Sequence, residues 1–265
     1  MIMLLNYKYI KSRIKTDKYL LILHGLLGCA DNWLPQAKIF SKYYNVIIPD
    51  LRNHGDSSHH PIMTYEAMSQ DVIELLDHLK IDHTSIIGHS MGGKLVMLLA
   101  LLYPDRVDKI IIVDIAPDKY KIDSNYKLLK ILKSIQLNEF KNREEIKNHI
   151  INKIPNFKEL DLVMKNIRLN LDKKYEWKLN LDALMNNIDN LANFPEIDKV
   201  SSTNTLFLRG DKSDHILPKH YDKIYNFFPN AIIQTISNAG HWVQVDNFND
   251  FIVHSINYLQ QTTNN

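Results

Sequence analysis

Residues Gly88-His89-Ser90-Met91-Gly92-Gly93 constrain this chain more than any other stretch. They follow the apolar run Thr84-Ser-Ile-Ile87 and precede an apolar segment that reads as a helix from Lys94 to Leu102. A strand, then Gly-x-Ser-x-Gly, then a helix is a sharp turn that leaves a serine Oγ exposed at its tip, in a strained backbone conformation. The positions two before and two after the serine must be tiny for the turn to close, and both are glycine. The helix aims its N-terminus at the turn, so the Met91 N–H is expected as a free donor beside any oxyanion formed on Ser90.

On either side of this elbow, strand and helix patterns alternate. Ile2 to Ile10, Tyr19 to Leu23 and Asn45 to Pro49 read as strands. Asp31 can cap a helix over Trp33 to Tyr43, whose apolar positions Trp33, Ala37 and Phe40 share a face. Thr64 caps a second helix to about Leu79, with Ala67, Met68, Val72, Leu75, Leu76 and Leu79 at helical spacing. Val107 to Ile115 is a near-continuous apolar run suited to a buried parallel strand. After residue 202 come strand Thr205 to Leu208, helix Lys219 to Phe228, strand Ala231 to Ile236 and helix Phe248 to Gln260. This order predicts an α/β fold built on a mostly parallel, doubly wound sheet.

The stretch between differs. Asp118 to Ser202 is rich in Lys, Asn and Leu and carries helical periodicity at Leu128, Leu129, Leu132 and Ile135. No alternating strand pattern stands out there. The division expected is a core of residues 1–117 and 203–265, with 118–202 as an all-helical cap inserted in it. With 265 residues and 45% hydrophobic content, the chain can bury one sizeable core.

The balance of 32 basic and 30 acidic residues leaves no concentrated basic excess, which argues against a nucleic-acid partner. Cys29 is the one cysteine, so no internal disulfide can form, and a reducing, cytoplasmic setting is expected. The apolar start Met1 to Leu5 is too short for a signal segment. Leu95 to Leu102, the longest apolar run, falls well below the ~20 residues that span a bilayer. Oligomeric state is not legible.

A serine hydroxyl is a poor nucleophile at neutral pH, so Ser90 needs a base and the base needs an orienting acid. In a strand–elbow–helix architecture the three occur in the order serine, acid, histidine. His241, in Asn238-Ala-Gly-His-Trp242, directly follows the last strand and is the expected base. His254 falls mid-helix, and His89 must point away from its neighbour Ser90. Two loops offer the acid. Asp114 ends the strand after the elbow helix, and burying it demands a hydrogen-bonded partner. Asp211 and Asp214 lie in Arg209-Gly-Asp-Lys-Ser-Asp-His215, which can also reach the sheet edge. A second oxyanion donor should come from the loop after His24-Gly25, where Leu26 N–H is the natural candidate between Gly25 and Gly28. His59-His60 and the His78, Asp82, His83 group lack the carboxylates of a metal site and read as surface loops. Nothing near Cys29 would form a thiolate. Lys119, Lys121, Lys127, Lys130 and Lys133 read as a solvated helix face, with an anionic acyl carrier as the alternative reading. No cofactor or metal is called for.

With His24-Gly25, Asp50-Leu-Arg-Asn-His-Gly55, Gly88-His-Ser-Met-Gly-Gly93, Val113-Asp-Ile-Ala-Pro117 and Asn238-Ala-Gly-His-Trp242 set out, the chain resembles the α/β-hydrolase superfamily over nearly its whole length. Within it the match is closest to YbfF-type esterases and their mitochondrial relatives. Trp177-Lys-Leu-Asn-Leu-Asp-Ala-Leu184 is similar to the cap motif of that branch. The resemblance implies an α/β-hydrolase fold in which 118–202 is a lid. It also implies Asp114 as the acid, since the branch places its acid after the strand that follows the elbow; Asp214 in the later loop is a departure from the branch. Together these imply a serine-dependent carboxylic ester hydrolase acting on acyl esters, with Ser90, Asp114 and His241 catalytic and Leu26 and Met91 forming the oxyanion hole. Thioester hydrolysis, acyl transfer to an alcohol and carbon–carbon bond hydrolysis would use the same residues, and a catalytically inactive binding scaffold is the alternative from another class. A neutral histidine base predicts activity that falls below about pH 6.5.

Overall fold

The computed structural model describes residues 3–154 and 156–261. In chain order the elements are β1 (Tyr7–Ile10), β2 (Tyr19–Leu23), α1 (Leu34–Phe40), β3 (Asn45–Pro49) and α2 (Tyr65–His78). The elbow strand β4 (Thr84–His89), its helix α3 (Met91–Leu102) and β5 (Val107–Val113) follow. Next come α4 (Asp123–Lys133), α5 (Arg143–Ile151), α6 (Phe157–Met164), β6 (Ile167–Leu169), β7 (Tyr175–Trp177), α7 (Leu181–Asn186) and α8 (Ile188–Ala192). The chain closes with β8 (Asn204–Gly210), α9 (Tyr221–Phe227), β9 (Ile232–Ile236), α10 (Val243–Asp246) and α11 (Phe248–Gln260).

Seven strands form one sheet in the order β1-β3-β2-β4-β5-β8-β9. All neighbours are parallel except β1, which runs antiparallel to β3. Successive side chains of a strand point to opposite faces, and the two cores divide accordingly. Ile110, Ile112 and Phe207 join Met68, Val72 and Leu95 on one face. Ile111, Val113 and Leu208 join Trp33, Phe40 and Phe251 on the other. Helices α2 and α3 thus cover one face and α1 and α11 the second, the doubly wound arrangement the alternation predicts. Helix α3 is buried from Met91 through Leu101, as its continuous apolar sequence requires. The segment between β5 and β8 packs on the α2–α3 face: Leu129, Leu132, Ile146, Leu160, Leu184 and Ile188 belong to the same continuous core.

Several expectations need correction. The strand expected from Ile2 to Ile10 is paired only from Tyr7, because its partner β3 ends at Pro49 opposite Tyr7; Met1 and Ile2 lie outside the described residues. Upstream, Asn6 serves a loop instead: its N–H donates to Ser57 Oγ at 2.8 Å and its Nδ2 to Asp50 Oδ2 at 3.0 Å. Asp31 does not cap α1. It lies within a 3-10 turn, Ala30–Trp33, and pairs with Lys8 at 2.9 Å, while Asn32 Oδ1 accepts the Cys29 N–H. Between β5 and β8 the chain is not all helical. β6 and β7 form an antiparallel hairpin, and their three-residue length is too short for alternation to show in the sequence. Helix α10, directly after His241, was not anticipated. Lys127, Lys130 and Lys133 lie exposed on α4, the solvated helix face expected of them, whereas Lys119 and Lys121, also exposed, precede that helix. No described helix is long and apolar enough to cross a membrane.

The loop from Asp50 to Met63 is held by charge. Arg52 Nε and Nη2 donate to the two oxygens of Asp71 on α2 at 2.6 and 2.7 Å, and the guanidinium also bonds Ile62 O and Ala67 O. Both partners are buried, Arg52 at 6% and Asp71 at 2% exposure. Gly55, at φ +55°, is obligatory in the same loop, since a Cβ there would lie 2.1 Å from Asp50 Cγ. Breaking a buried pair leaves an uncompensated charge, so Arg52→Met should cost about 3–5 kcal/mol in urea unfolding. Arg52→Met with Asp71→Leu should recover most of that loss; a double variant no more stable than the single would argue against the pair as the cause.

Candidate active site

The elbow is strained as its sequence demands. Ser90 has φ 54° and ψ −118°, and its N–H donates to Val113 O at 3.1 Å, locking the turn to β5. A Cβ on Gly88 would lie 2.3 Å from Gly92 O, and one on Gly92 would lie 2.4 Å from Leu23 O. The turn therefore closes only with both glycines. His89 points away from the serine: its Nε2–H donates to the carbonyl of His241 at 2.8 Å, fastening the loop after β9 to the elbow.

Asp114 follows β5 with φ 51° and is fully buried. Its N–H donates to Leu208 O at 2.9 Å, and its Oδ1 accepts the Gly210 N–H at 3.0 Å. Oδ2 accepts from the Ser213 hydroxyl and from His241 Nδ1, the latter at 2.9 Å. Burial pushes the Asp114 carboxyl up from its ordinary range, and the Ser213 and Gly210 hydrogen bonds oppose that shift. Oδ1 and Oδ2 both act as acceptors in these contacts, the pattern an ionised carboxylate meets. His241 then carries its proton on Nδ1 and leaves Nε2 with a free lone pair. Burial pulls its pKa down to about 4, against the raising influence of Asp214 and Asp246. Among the described residues no hydrogen bond joins Ser90 Oγ to His241; such bonds often tighten only around substrate.

The competing carboxylates face elsewhere. Asp214 is 90% exposed and meets His215 Nδ1 at 3.3 Å, while Asp211 accepts the Ala239 N–H at 3.0 Å.

The loop after β2 is organised by two buried histidines. His24 Nδ1–H donates to Gly25 O at 2.8 Å, and its Nε2 accepts the Leu51 N–H at 2.9 Å. His54 Nδ1–H donates to Arg52 O at 2.9 Å, and its Nε2 accepts the Leu27 N–H at 3.1 Å. Burial holds both below the usual histidine range, His54 at about 3. The positive φ falls on Leu27, at 61°, and not on a glycine. Among the described residues, neither Leu26 N–H nor Met91 N–H donates to a protein acceptor.

Sequence reading missed three neighbours of this cluster: Ser213, His215 and the tethering role of His89. His215 and Ser213 stand in the loop weighed only for its aspartates, and the Ser-x-His spacing gave no signal of its own. Asp114, His215 and His241 each offer a ligand atom within 4.8 Å of the others. The two imidazoles lie nearly parallel, 19° apart with centroids at 3.8 Å, so their in-plane lone pairs run side by side and do not converge on one ion. His59 bonds Lys178 O at 3.0 Å and His83 pairs with Asp108 at 2.7 Å, both on exposed surface.

A family model described as alpha/beta hydrolase fold matches residues 18–248. The sn-1-specific diacylglycerol lipase ABHD11 of Mus musculus is 36% identical over 245 residues, covering 88% of this chain and 78% of that protein. Esterase YbfF of Escherichia coli (strain K12) is 30% identical over 227 residues, covering 86% of this chain and 87% of its own. A solved structure described as a marine microorganism esterase superposes with a TM-score of 0.93 at 36% identity, over 97% of this chain and 99% of that one. The resemblance read from the motifs is borne out, and the chain belongs to the α/β-hydrolase family.

Proposed function

We propose that this α/β hydrolase cleaves carboxylic esters through an acyl-enzyme formed on Ser90. The observation that carries the reading is the 2.9 Å bond from His241 Nδ1 to buried Asp114, set beside a serine held at φ 54° at the start of α3. Relatives named as esterase and lipase over most of the chain support the ester bond as the target.

Ser90 Oγ attacks the acyl carbonyl while His241 Nε2 takes its proton. His241 returns that proton to the leaving alcohol, and a water activated in the same way releases the acid. Asp114 holds the tautomer and stabilises the imidazolium as it forms. The Leu26 and Met91 amides receive the oxyanion; removing one such donor typically costs ~10²–10³ in kcat. Residues 118–202 act as the lid over the acyl group and set substrate size. Asn166 Nδ2, from that segment, already reaches Leu27 O at 2.6 Å beside the proposed oxyanion donor. The substrate is a small-molecule acyl ester or thioester.

Three measurements test this reading. A fluorophosphonate should label the wild type and not Ser90→Ala; equal labelling of the two would sink it. Asp114→Asn should lower kcat by up to ~10⁴ by imposing the wrong tautomer, with Asp214→Asn within about threefold of wild type. The reverse order would move the acid to the later loop. Burial lowers the His241 pKa, so the base stays neutral further into acid than an exposed histidine. The acid limb of kcat/KM should therefore have its midpoint below about 6.5, correcting the expectation drawn from the unperturbed side chain. A midpoint at or above 6.5 would contradict the burial argument.

A further inference from the structure

We propose that His215 is a positioning residue for His241, fixing the plane of the base from a stack that continues into the segment entering the lid. The proposal rests on the reading of Ser90, Asp114 and His241 given above.

One hydrogen bond at Nδ1 ties the His241 ring to Asp114, and that leaves the ring free to swing about its side-chain torsion. The His215 ring lies flat against it, with centroids 3.8 Å apart and planes 19° apart. The nearest other ring is His89, at 4.7 Å and tilted by 43°, so His215 is the one that supplies a parallel wall. His215 does not compete for the acid. Its Nδ1 is 3.8 Å from Asp114 Oδ2, beyond hydrogen-bond reach, against 2.9 Å for His241. It supports the acid indirectly: its backbone N–H donates to Ser213 Oγ at 3.2 Å and its Nδ1 lies 3.3 Å from the same oxygen, whose own proton goes to Asp114.

The stack has a second layer. Tyr120 lies 5.3 Å from His215 at the same 19° inclination, and its hydroxyl donates to His215 O at 2.5 Å while accepting the Ala116 N–H at 2.9 Å. Lys94, one turn after Ser90, sits 4.8 Å from the Tyr120 ring centroid and donates to Ala192 O and Asn193 O. Tyr120 N–H also donates to Ala192 O, at 3.0 Å. The two ends of the segment between β5 and β8 are therefore joined to each other, to the elbow helix and to the base through one column of rings.

The test measures kcat and KM of the full-length protein on a short p-nitrophenyl ester, with thermal melting in parallel. Misaligning a catalytic group by a fraction of an ångström costs rate and not ground-state binding, so His215→Ala should lower kcat about tenfold with KM within about twofold. His215→Phe keeps a flat ring and should stay within about threefold of wild-type kcat. The proposal fails if His215→Ala keeps wild-type kcat, or if His215→Phe melts normally yet is as slow as His215→Ala. Should His215→Ala not fold, Tyr120→Leu decides: a several-fold fall in kcat at unchanged KM supports the column, and an unchanged kcat overturns it. Ser90→Ala and His241→Ala run alongside. Turnover surviving in either would refute the underlying site, whereas their inactivity beside a fully active His215→Ala would refute the positioning role alone.

Discussion

The Asp114 carboxylate is the group on which the C-terminal edge of the sheet depends. A buried carboxylate is costly unless donors replace the water it loses. Here they come from two loops far from it in sequence: Gly210 and Ser213 at and beyond the end of β8, and His241 after β9. Asp114 meets them from a backbone at φ 51°, while its N–H stays in the β5–β8 ladder by bonding Leu208 O. The same carboxylate that would orient a base therefore also aligns the loops after β8 and β9.

Around that charge the site is built from neutral histidines. His24 and His54 each donate from Nδ1 to a carbonyl and accept a backbone N–H at Nε2, linking the loop after β2 to the Asp50–Met63 loop. An imidazolium has no acceptor, so protonating either ring would break the bond from Leu51 or Leu27. Their folded-state affinity for protons is lowered by burial, His54 to about 3. A base with a depressed pKa binds fewer protons folded than unfolded below about pH 6.5, so its contribution to stability is complete above that value and declines as pH falls toward the folded pKa. His241 is lowered by the same cause, so the three imidazoles stay neutral together.

The sequence revealed these parts unevenly, for physical reasons. Elements with long apolar runs or a strong cap were read within one or two residues: β2, β3, α2 with Thr64 as its N-cap, and α11. The elbow carried its own geometry, because two glycines two residues from a serine have few other uses. Where a side chain had two plausible duties, reading failed: Asp31 could have capped α1, but pairing with Lys8 and the bond from Cys29 N–H to Asn32 took precedence. Local residues do not separate Asp114 from Asp214: that the one is buried and the other exposed is a property of the fold and is not written in either loop. His215 was illegible for the same reason. The two rings it packs against lie 26 residues after it, in His241, and 95 before it, in Tyr120, and only the fold brings them together.

The segment between β5 and β8 extends the α2–α3 face. Its apolar residues share the core of that face, and its polar contacts fall on loops that border the site. Asn180 N–H donates to Asn53 O at 3.0 Å, and Tyr65 OH donates to Leu191 O at 2.8 Å. Asn166 grips Leu27 O from outside while His54 takes the Leu27 N–H from within. Leu27 is held at φ 61°, a conformation a leucine adopts only when its surroundings impose it, at a cost of order 1–3 kcal/mol. Its two restraints come from different segments, so the amide of Leu26 next to it is aimed jointly by the Arg52–Asn53–His54 loop and by the inserted segment. Any displacement of that segment large enough to release Asn166 would free one side of the strained turn, and the Leu26 amide with it.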